Sequence, residues 1–298
     1  MIQDIGENIF RNEFALHRAP AASDRVIVYR SGEMACAVEN NTIAFPQVCE
    51  LPEKYAEKLI YLFEVEGEVF FLLLTGEETV PELPEKYSFG SIRKIRSTDP
   101  VPQKYLFAGF TAHHLAEWYL SSRFCGRCGG ENVRDENERA MLCPKCGKKV
   151  YPRIDPAVIV GVVSGDKLLI TRYRTGFAHN ALVAGFTEIG ESLEATVSRE
   201  VMEETGIKVK NIRYYKSQPW GIAANILAGF FCEAEGESAI HMDENELKYA
   251  EWLGREEIVL QPYDHSLTNE MMKLFKNIGR GVLDRQDSAL LTYYSLDI

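Results

Sequence analysis

A mixed α+β fold in more than one piece is what this sequence predicts, and three observations lead there. At 298 residues the chain is long enough for two domains, or one large and one small, each with its own core. Short apolar runs punctuated by Gly, Pro and Asn fill the first third, whereas strand-like and helix-like periods mix from about residue 155 onward. Between the two regions lie two Cys-x-x-Cys pairs, CGRC at 125–128 and CPKC at 143–146, as a unit of their own.

Bulk composition narrows the class. There are 33 basic against 44 acidic residues, a net charge of −11, which gives no global attraction to nucleic acid or anionic membranes. No apolar span of about 18 residues occurs, so no membrane helix is expected. The opening MIQDIGENIFRNEF is charged throughout and lacks an apolar signal core, so a cytoplasmic protein is expected. Seven cysteines is an odd number, and four of them are clustered, which in a reducing compartment favours metal over disulfide.

Taken in order, RVIVYR, ACAVEN, NTIAFP and FEVEGEVFFLLLTG read as strands. This segment carries no catalytic constellation; His17, Cys36 and Cys49 are isolated and are expected to be structural. TAHHLAEWYLSSRF has helical spacing, and its adjacent His113 and His114 point in different directions, so no shared metal site is expected. PAVIVGVVSGDKLLITRYR reads as a hairpin turning at Ser164, Gly165 and Asp166. A helix is expected near 191–205, strands at about 211–217, about 226–233 and AEWLG, and a closing helix in SLTNEMMKLFKNIG capped by Ser266 or Thr268. The expected division is an N-terminal domain over 1–108, a connecting helix over 109–124, the cysteine unit over 125–150 and a larger domain over 151–298.

The cysteine pairs are separated by fourteen residues. Two thiolates three apart in a tight turn reach adjacent corners of a tetrahedron, and Gly126, Gly129 and Gly147 give those turns backbone freedom. Cys125, Cys128, Cys143 and Cys146 are therefore the expected ligands of a structural Zn²⁺ with no open position. A thioredoxin-like redox pair would not need the second pair. Zinc ribbons are often nucleic-acid modules, which leaves a non-enzyme reading open, although the loop GGENVRDENERAML carries more acid than base.

From Gly185 the chain reads GFTEIGESLEATVSREVMEETGI. A helix puts Glu200, Glu203 and Glu204 on one face, where they repel each other by a few tenths of a kcal/mol per pair. Such a face needs a counter-charge, which Arg199 supplies in part and a hard divalent cation in full. Mg²⁺ takes oxygen ligands and is commonly completed by substrate phosphates. Gly206 should end the helix.

The full spacing is G-x5-E-x7-R-E-V-x-E-E-x-G-I, and it resembles the Nudix box at every defined position. Chance would give seven fixed residues at set spacing about once in a hundred million starts, so a merely solvated acidic face is set aside. The resemblance is to Nudix hydrolases, which cleave a nucleoside diphosphate linked to another moiety. The cysteine ribbon, YPRIDPAVI at 151–159, LVAGFTEIGE at 182–191 and SQPW at 217–220 make it similar to the NADH pyrophosphatase subfamily. That resemblance implies a Nudix α/β/α sandwich with a mixed sheet, preceded by a zinc ribbon and a degenerate Nudix-like domain. It also implies a homodimer and cleavage of NADH or NAD⁺ to nicotinamide mononucleotide and AMP. Another dinucleotide or an ADP-ribose-like substrate is the first alternative, and removal of a nicotinamide cap from RNA another. No G-x-G-x-x-G opens a helix after a strand, so NAD is expected as substrate rather than bound cofactor.

Site residues carry over singly. The resemblance makes Glu200, Glu203, Glu204 and Glu246 ligands of Mg²⁺ or Mn²⁺, with one carboxylate as general base for the attacking water and Arg199 orienting a box glutamate. Phe186 and, from a partner subunit, Tyr151 are expected to stack on bases, with Gln218 reading a ligand edge. The subfamily continues SQPW with P-F-P-x-S. Here Gly221, Ile222, Ala223, Ala224 and Asn225 follow, so both prolines and the aromatic are gone and Asn225 keeps only a polar role. Selectivity, rather than metal chemistry, is what this departure puts in question. A zinc-ribbon binding protein with a retired Nudix domain is the competing class.

Overall fold

The structure is a computed structural model that describes residues 1–6, 9–14, 18–40, 42–98, 102–176, 178–236 and 239–284. The chain divides into two compact units. One holds Ile2–Ile154 and Trp220–Asn225; the other holds Met1, Asp155–Pro219 and the described residues from Ile226 onward.

The first unit is built on a seven-stranded sheet. Its strands are β1 (Phe10–Arg11), β2 (Arg25–Arg30), β3 (Glu33–Glu39), β4 (Thr42–Ala44), β5 (Ile60–Val65), β6 (Glu68–Leu74) and β7 (Ser88–Ser91). The order is β1-β5-β6-β2-β3-β4, with β7 also pairing β3. RVIVYR and EVFFLLL form the parallel β2–β6 pair at the centre, as near-continuous apolar runs should when both faces are covered. Alternation along β2 sends Ile27 and Tyr29 into one core and Val26 and Val28 into another. Two helices follow, α1 (Ile92–Arg96) and α2 (Gln103–Ser121).

The second of these starts earlier than the expected segment, because Pro102 sets the N-terminal boundary and the apolar run KYLFAGF is already helical. It is more than a connector. Its Leu106, Phe107, Phe110, Leu115 and Trp118 are part of the main core of this unit. The paired histidines diverge as expected. His113 Nδ1 lies 2.7 Å from the Tyr29 hydroxyl, and His114 Nε2 lies 2.8 Å from the Arg153 carbonyl. Cys36 is buried and Cys49 exposed; His17 lies outside the described residues.

The cysteine unit forms a small antiparallel sheet of β8 (Val133–Arg134), β9 (Met141–Leu142) and β10 (Lys149–Val150). Its two knuckles repeat one pattern. Gly129 N–H donates to the Cys125 carbonyl and Gly147 N–H to the Cys143 carbonyl, both at 2.9 Å. These two glycines have φ of +68° and +70°. Gly126, expected to share that role, is not in the left-handed region.

The second unit contains β11 (Asp155–Ser164), β12 (Lys167–Tyr173), β13 (Val183–Phe186), α3 (Leu193–Thr205), β14 (Val209–Trp220), β15 (Asn225–Ala234), β16 (Leu247–Gly254) and α4 (Leu267–Ile278). The sheet order is β14-β15-β11-β12-β16, with β13 pairing β11. Ser164 faces Lys167, so the hairpin turn is the two residues Gly165 and Asp166. One sheet face packs Val158, Val160 and Phe230 against Val197 and Val201 of α3. The other receives α4, whose Met271 and Leu267 close on Gly229. The result is a helix–sheet–helix sandwich. Ser266 is the cap of α4, its Oγ accepting from Asn269 N–H.

The segment after SQP is a finding the sequence did not suggest. Trp220, the last residue of β14, packs edge-on against Phe110 at 5.3 Å, and Ile222 joins the same N-terminal core. A Cβ on Gly221 would lie 2.2 Å from the Phe110 carbonyl oxygen, so this close approach requires glycine. The altered loop is thus packed into the first unit, rather than being only a lining for ligand.

Candidate active site

The glutamate helix is fixed at both ends. Ser192 Oγ accepts from Ala195 N–H at 3.2 Å, and Gly206 takes φ of +69° to end the helix. Val197 and Val201 are fully buried, and Glu204 follows them on nearly the same face, so the box glutamates lie at unequal depth. Side-chain exposure is 12% for Glu200 and 60% for Glu203, whereas Glu204 is 2% exposed.

Arg199 is the hub of this arrangement. Its Nε and Nη2 donate to the two oxygens of Glu191 at 2.7 and 2.9 Å, a bidentate pair. Nη1 donates to Glu200 Oε1 at 2.7 Å and to Glu203 Oε2 at 2.9 Å, and Nη2 also reaches the Phe186 carbonyl at 2.9 Å. Bonding to Arg199 holds the Glu191 carboxyl down at about 2, and the same contacts raise the guanidinium. Glu191, noted in the sequence only as a box position, is therefore what aims the arginine.

Glu204 has a different environment. Burial first, then the charges of Glu200 and Glu246, push its carboxyl up to about 8, against the opposing effect of the Tyr173 hydroxyl. That hydroxyl lies 3.1 Å from Glu204 Oε1 and accepts from Ala184 N–H at 3.0 Å. Glu200 is also raised, by burial and by Glu203 and Glu246, although Arg199 opposes this. Glu246 precedes β16, and its influence on both carboxyls places it in the same electrostatic cluster. Tyr173 is a residue that sequence reasoning missed. The available signal was its place at the end of a strand with inward phase.

Close packing makes Gly185 indispensable. A Cβ there would fall 1.9 Å from the Glu200 carboxyl carbon. The first glycine of the box thus clears the space that Glu200 occupies beside β13.

An all-carboxylate donor set with two acids raised by mutual repulsion and burial matches a hard divalent cation. Among the described residues, however, the cysteines are the one group of three or more ligating side chains whose donor atoms lie within 4.8 Å of one another. Arg199 holds Glu200 and Glu203, so those glutamates must re-aim to share an ion.

The remaining expected residues separate. Phe186 is 54% exposed in the second unit, with its ring available for stacking. Tyr151 is 55% exposed in the first unit, where its hydroxyl donates to Glu138. Gln218 departs from expectation. It is fully buried, its Nε2 donates to the His265 carbonyl at 2.8 Å, and its Oε1 accepts from Leu267 N–H at 2.7 Å. Both ends of the amide hold the start of α4, so it is a fold residue and not a reader of a ligand edge. Asn225 belongs to the first unit, is 8% exposed, and its Oδ1 has no hydrogen-bond partner among the described residues.

The zinc cluster is close to ready. Cys125 and Cys146 sulfurs are 3.6 Å apart and those of Cys128 and Cys143 are 3.5 Å apart. A tetrahedron with Zn–S of about 2.3 Å needs edges of about 3.8 Å. The Arg127 N–H lowers the Cys125 thiol to about 6, while, against the Lys148 N–H, burial and then the neighbouring sulfurs raise Cys146.

The NUDIX domain family matches residues 153–275. The NADH pyrophosphatase zinc ribbon domain matches 120–151, and the NADH pyrophosphatase-like rudimentary NUDIX domain matches 23–118. The chain is similar to a protein named NAD-capped RNA hydrolase NudC from Klebsiella pneumoniae, at 40% identity over 181 residues, 59% of this chain and 68% of that one. The protein of the same name from an Escherichia coli strain is 36% identical over 209 residues, covering 69% and 76%. A solved NUDIX hydrolase from Nitrosomonas europaea is 22% identical and covers 52% of this chain and 90% of its own, with a TM-score of 0.46. With its box intact, a four-cysteine ribbon and a rudimentary N-terminal partner domain, this chain belongs to the Nudix hydrolases, enzymes that cleave phosphoric anhydrides.

Proposed function

We propose that this hydrolase cleaves the pyrophosphate of an NAD moiety carried at the 5′ end of RNA. Water adds across the P–O–P link, giving nicotinamide mononucleotide and an RNA with a 5′ monophosphate. The observation that carries the reading is the intact box with its Arg199–Glu191 clamp and buried Glu204, in a chain similar to NAD-capped RNA hydrolases over most of its length. Those relatives favour the capped RNA over the free dinucleotide that heads the sequence reading. Free NADH or NAD⁺ remains the second reading, favoured by the NADH pyrophosphatase description of the ribbon and the rudimentary domain.

Glu200, Glu203, Glu204 and Glu246 would hold Mg²⁺ or Mn²⁺. When bound, the cation neutralises charge on the pyrophosphate and draws these carboxyls into their ionised form. Arg199 fixes the Glu200 and Glu203 oxygens that face it. Tyr173 donates to Glu204 and keeps that carboxylate oriented as it loses its proton. An ionised carboxylate of this cluster takes the proton of the attacking water. Phe186 offers its exposed ring to a base of the substrate. Tyr151 and Asn225, whose Oδ1 has no partner among the described residues, would be further substrate contacts, and a homodimer would supply Tyr151.

The test is a competition. Equal amounts of NAD-capped RNA, NADH, NAD⁺ and ADP-ribose are incubated with the protein and Mg²⁺ or Mn²⁺, and products are separated by chromatography. Preferred release of nicotinamide mononucleotide from RNA supports the proposal. Preference for NADH moves the second reading forward, and preference for ADP-ribose means that the altered loop after SQPW has reset selectivity.

A further inference from the structure

The first unit carries an open cavity of about 600 Å³ that the reaction does not use. This falls within the range of about 300–1,000 Å³ typical of small-molecule sites. One wall is the N-terminal sheet, where Tyr61 and Phe71 meet edge-on at 5.9 Å. Phe14 adds a third ring. The facing wall is ribbon strand β8, with the exposed Val133 and Arg134, and Arg18 also lines the space.

Charge around this cavity is unbalanced once existing partners are counted. Asp135 lines it too, but its carboxylate is 2.8 Å from Lys149 Nζ and accepts from the N–H groups of Asn137 and Glu138. Glu136 lies at the edge and has a partner as well. Of the two arginines, Arg18 has Asp24 at 3.7 Å, and Arg134 pairs with no acid among the described residues, so Arg134 is the charge left over. Behind the rings lies Arg139, its guanidinium 5.4 Å from the Phe14 centroid. Arg139 donates to the Leu62 carbonyl and Asn12 Oδ1, and its buried Nη1 has no partner among the described residues. A cation so placed is held by neutral groups alone, and it raises the potential of the adjoining space.

Flat rings beside guanidinium groups suit one ligand chemistry, an aromatic base joined to a phosphate. A purely apolar ligand would leave the arginines unused, and inorganic phosphate would leave the rings unused. We propose that this cavity binds a nucleoside phosphate, with the base against Phe14 and Tyr61, Phe71 backing them from the core, and the phosphate on Arg18 and Arg134. The site is independent of which pyrophosphate the second unit cleaves. Its ligand has two sources, a free mononucleotide or one nucleotide of an RNA chain.

The experiment titrates full-length zinc-loaded protein with AMP and, separately, with a six-nucleotide RNA bearing a 5′ monophosphate. Neither probe contains a pyrophosphate, so failure here is separable from failure of the proposed reaction. No divalent cation is added, which leaves the glutamate cluster repelling phosphate. The variants are Arg134→Glu, on the ribbon surface, and Arg18→Ala with Arg134→Ala. Zinc content and melting temperature confirm the fold of each. At least tenfold weaker binding of both probes is expected if a single nucleotide from either source is taken. Weakening for the RNA alone assigns the site to an RNA chain, and for AMP alone to a free nucleotide. Unchanged binding of both probes in both variants overturns the proposal.

Discussion

Glu204 carries the sharpest residue-scale consequences. Its carboxyl is raised to about 8, whereas an unfolded chain gives a glutamate near about 4.3. The stability linked to its proton is therefore complete below the unfolded value and is lost as pH rises through about 8. Without added divalent cation, the protein should be less stable at pH 8.5 than at pH 5 by on the order of a few kcal/mol. Urea titrations across pH will show this, and Glu204→Gln should flatten the profile. Binding of Mg²⁺ near pH 7 should release close to one proton per chain, read with an indicator dye in weak buffer, and the same variant should release almost none. Hydrolysis by Glu204→Gln should fall by about 10²–10⁴-fold, with the fold intact by circular dichroism. Glu200, Glu203 and Glu204 could be grouped from the sequence because their spacing is local, whereas Glu246, far along the chain, was reached only through the family resemblance. Tyr173 was not, because its role depends on β12 bringing its hydroxyl to a helix more than twenty residues further along the chain. Gln218 was misread because an amide in a loop-like motif gives no sign of which partners will bury it.

At the scale of elements, two glycines separate activity from stability. Gly185→Ala would drive a methyl into the Glu200 carboxylate. Glu200 can swing away, so the expected result is a loss of hydrolysis of at least about tenfold with a nearly unchanged melting temperature. Gly221→Ala meets a backbone carbonyl instead. Nothing there can yield cheaply, and the cost should be about 1–3 kcal/mol of stability by urea unfolding, with hydrolysis per folded molecule largely retained. Elements were legible where termini are marked: Gly206 ends α3, and Gly165 turns the β11–β12 hairpin. They were less legible where tertiary contacts decide. The expected helix at His113 and His114 proved to be the later part of a 19-residue helix filling the N-terminal core. The segment Trp220–Asn225 gave no sequence sign that its first residues would pack against Phe110.

For the whole molecule, the two sets of metal ligands should respond to different treatments. The four sulfurs close around one point, so zinc should survive dialysis that removes Mg²⁺, and readdition of Mg²⁺ should restore hydrolysis. Cys143→Ser should lose zinc, measured by atomic absorption, and lower the melting temperature, because Cys143 is fully buried among its partners. If Cys143→Ser kept both its zinc and its stability, the closed site would be wrong. The same whole-chain perspective changes what the short string SQPW means. Its glutamine fastens the closing helix and its tryptophan belongs to the opposite unit's core. A search for new sequences by that string selects for a way of assembling the chain, so members that share it can diverge in diet without any change in the letters.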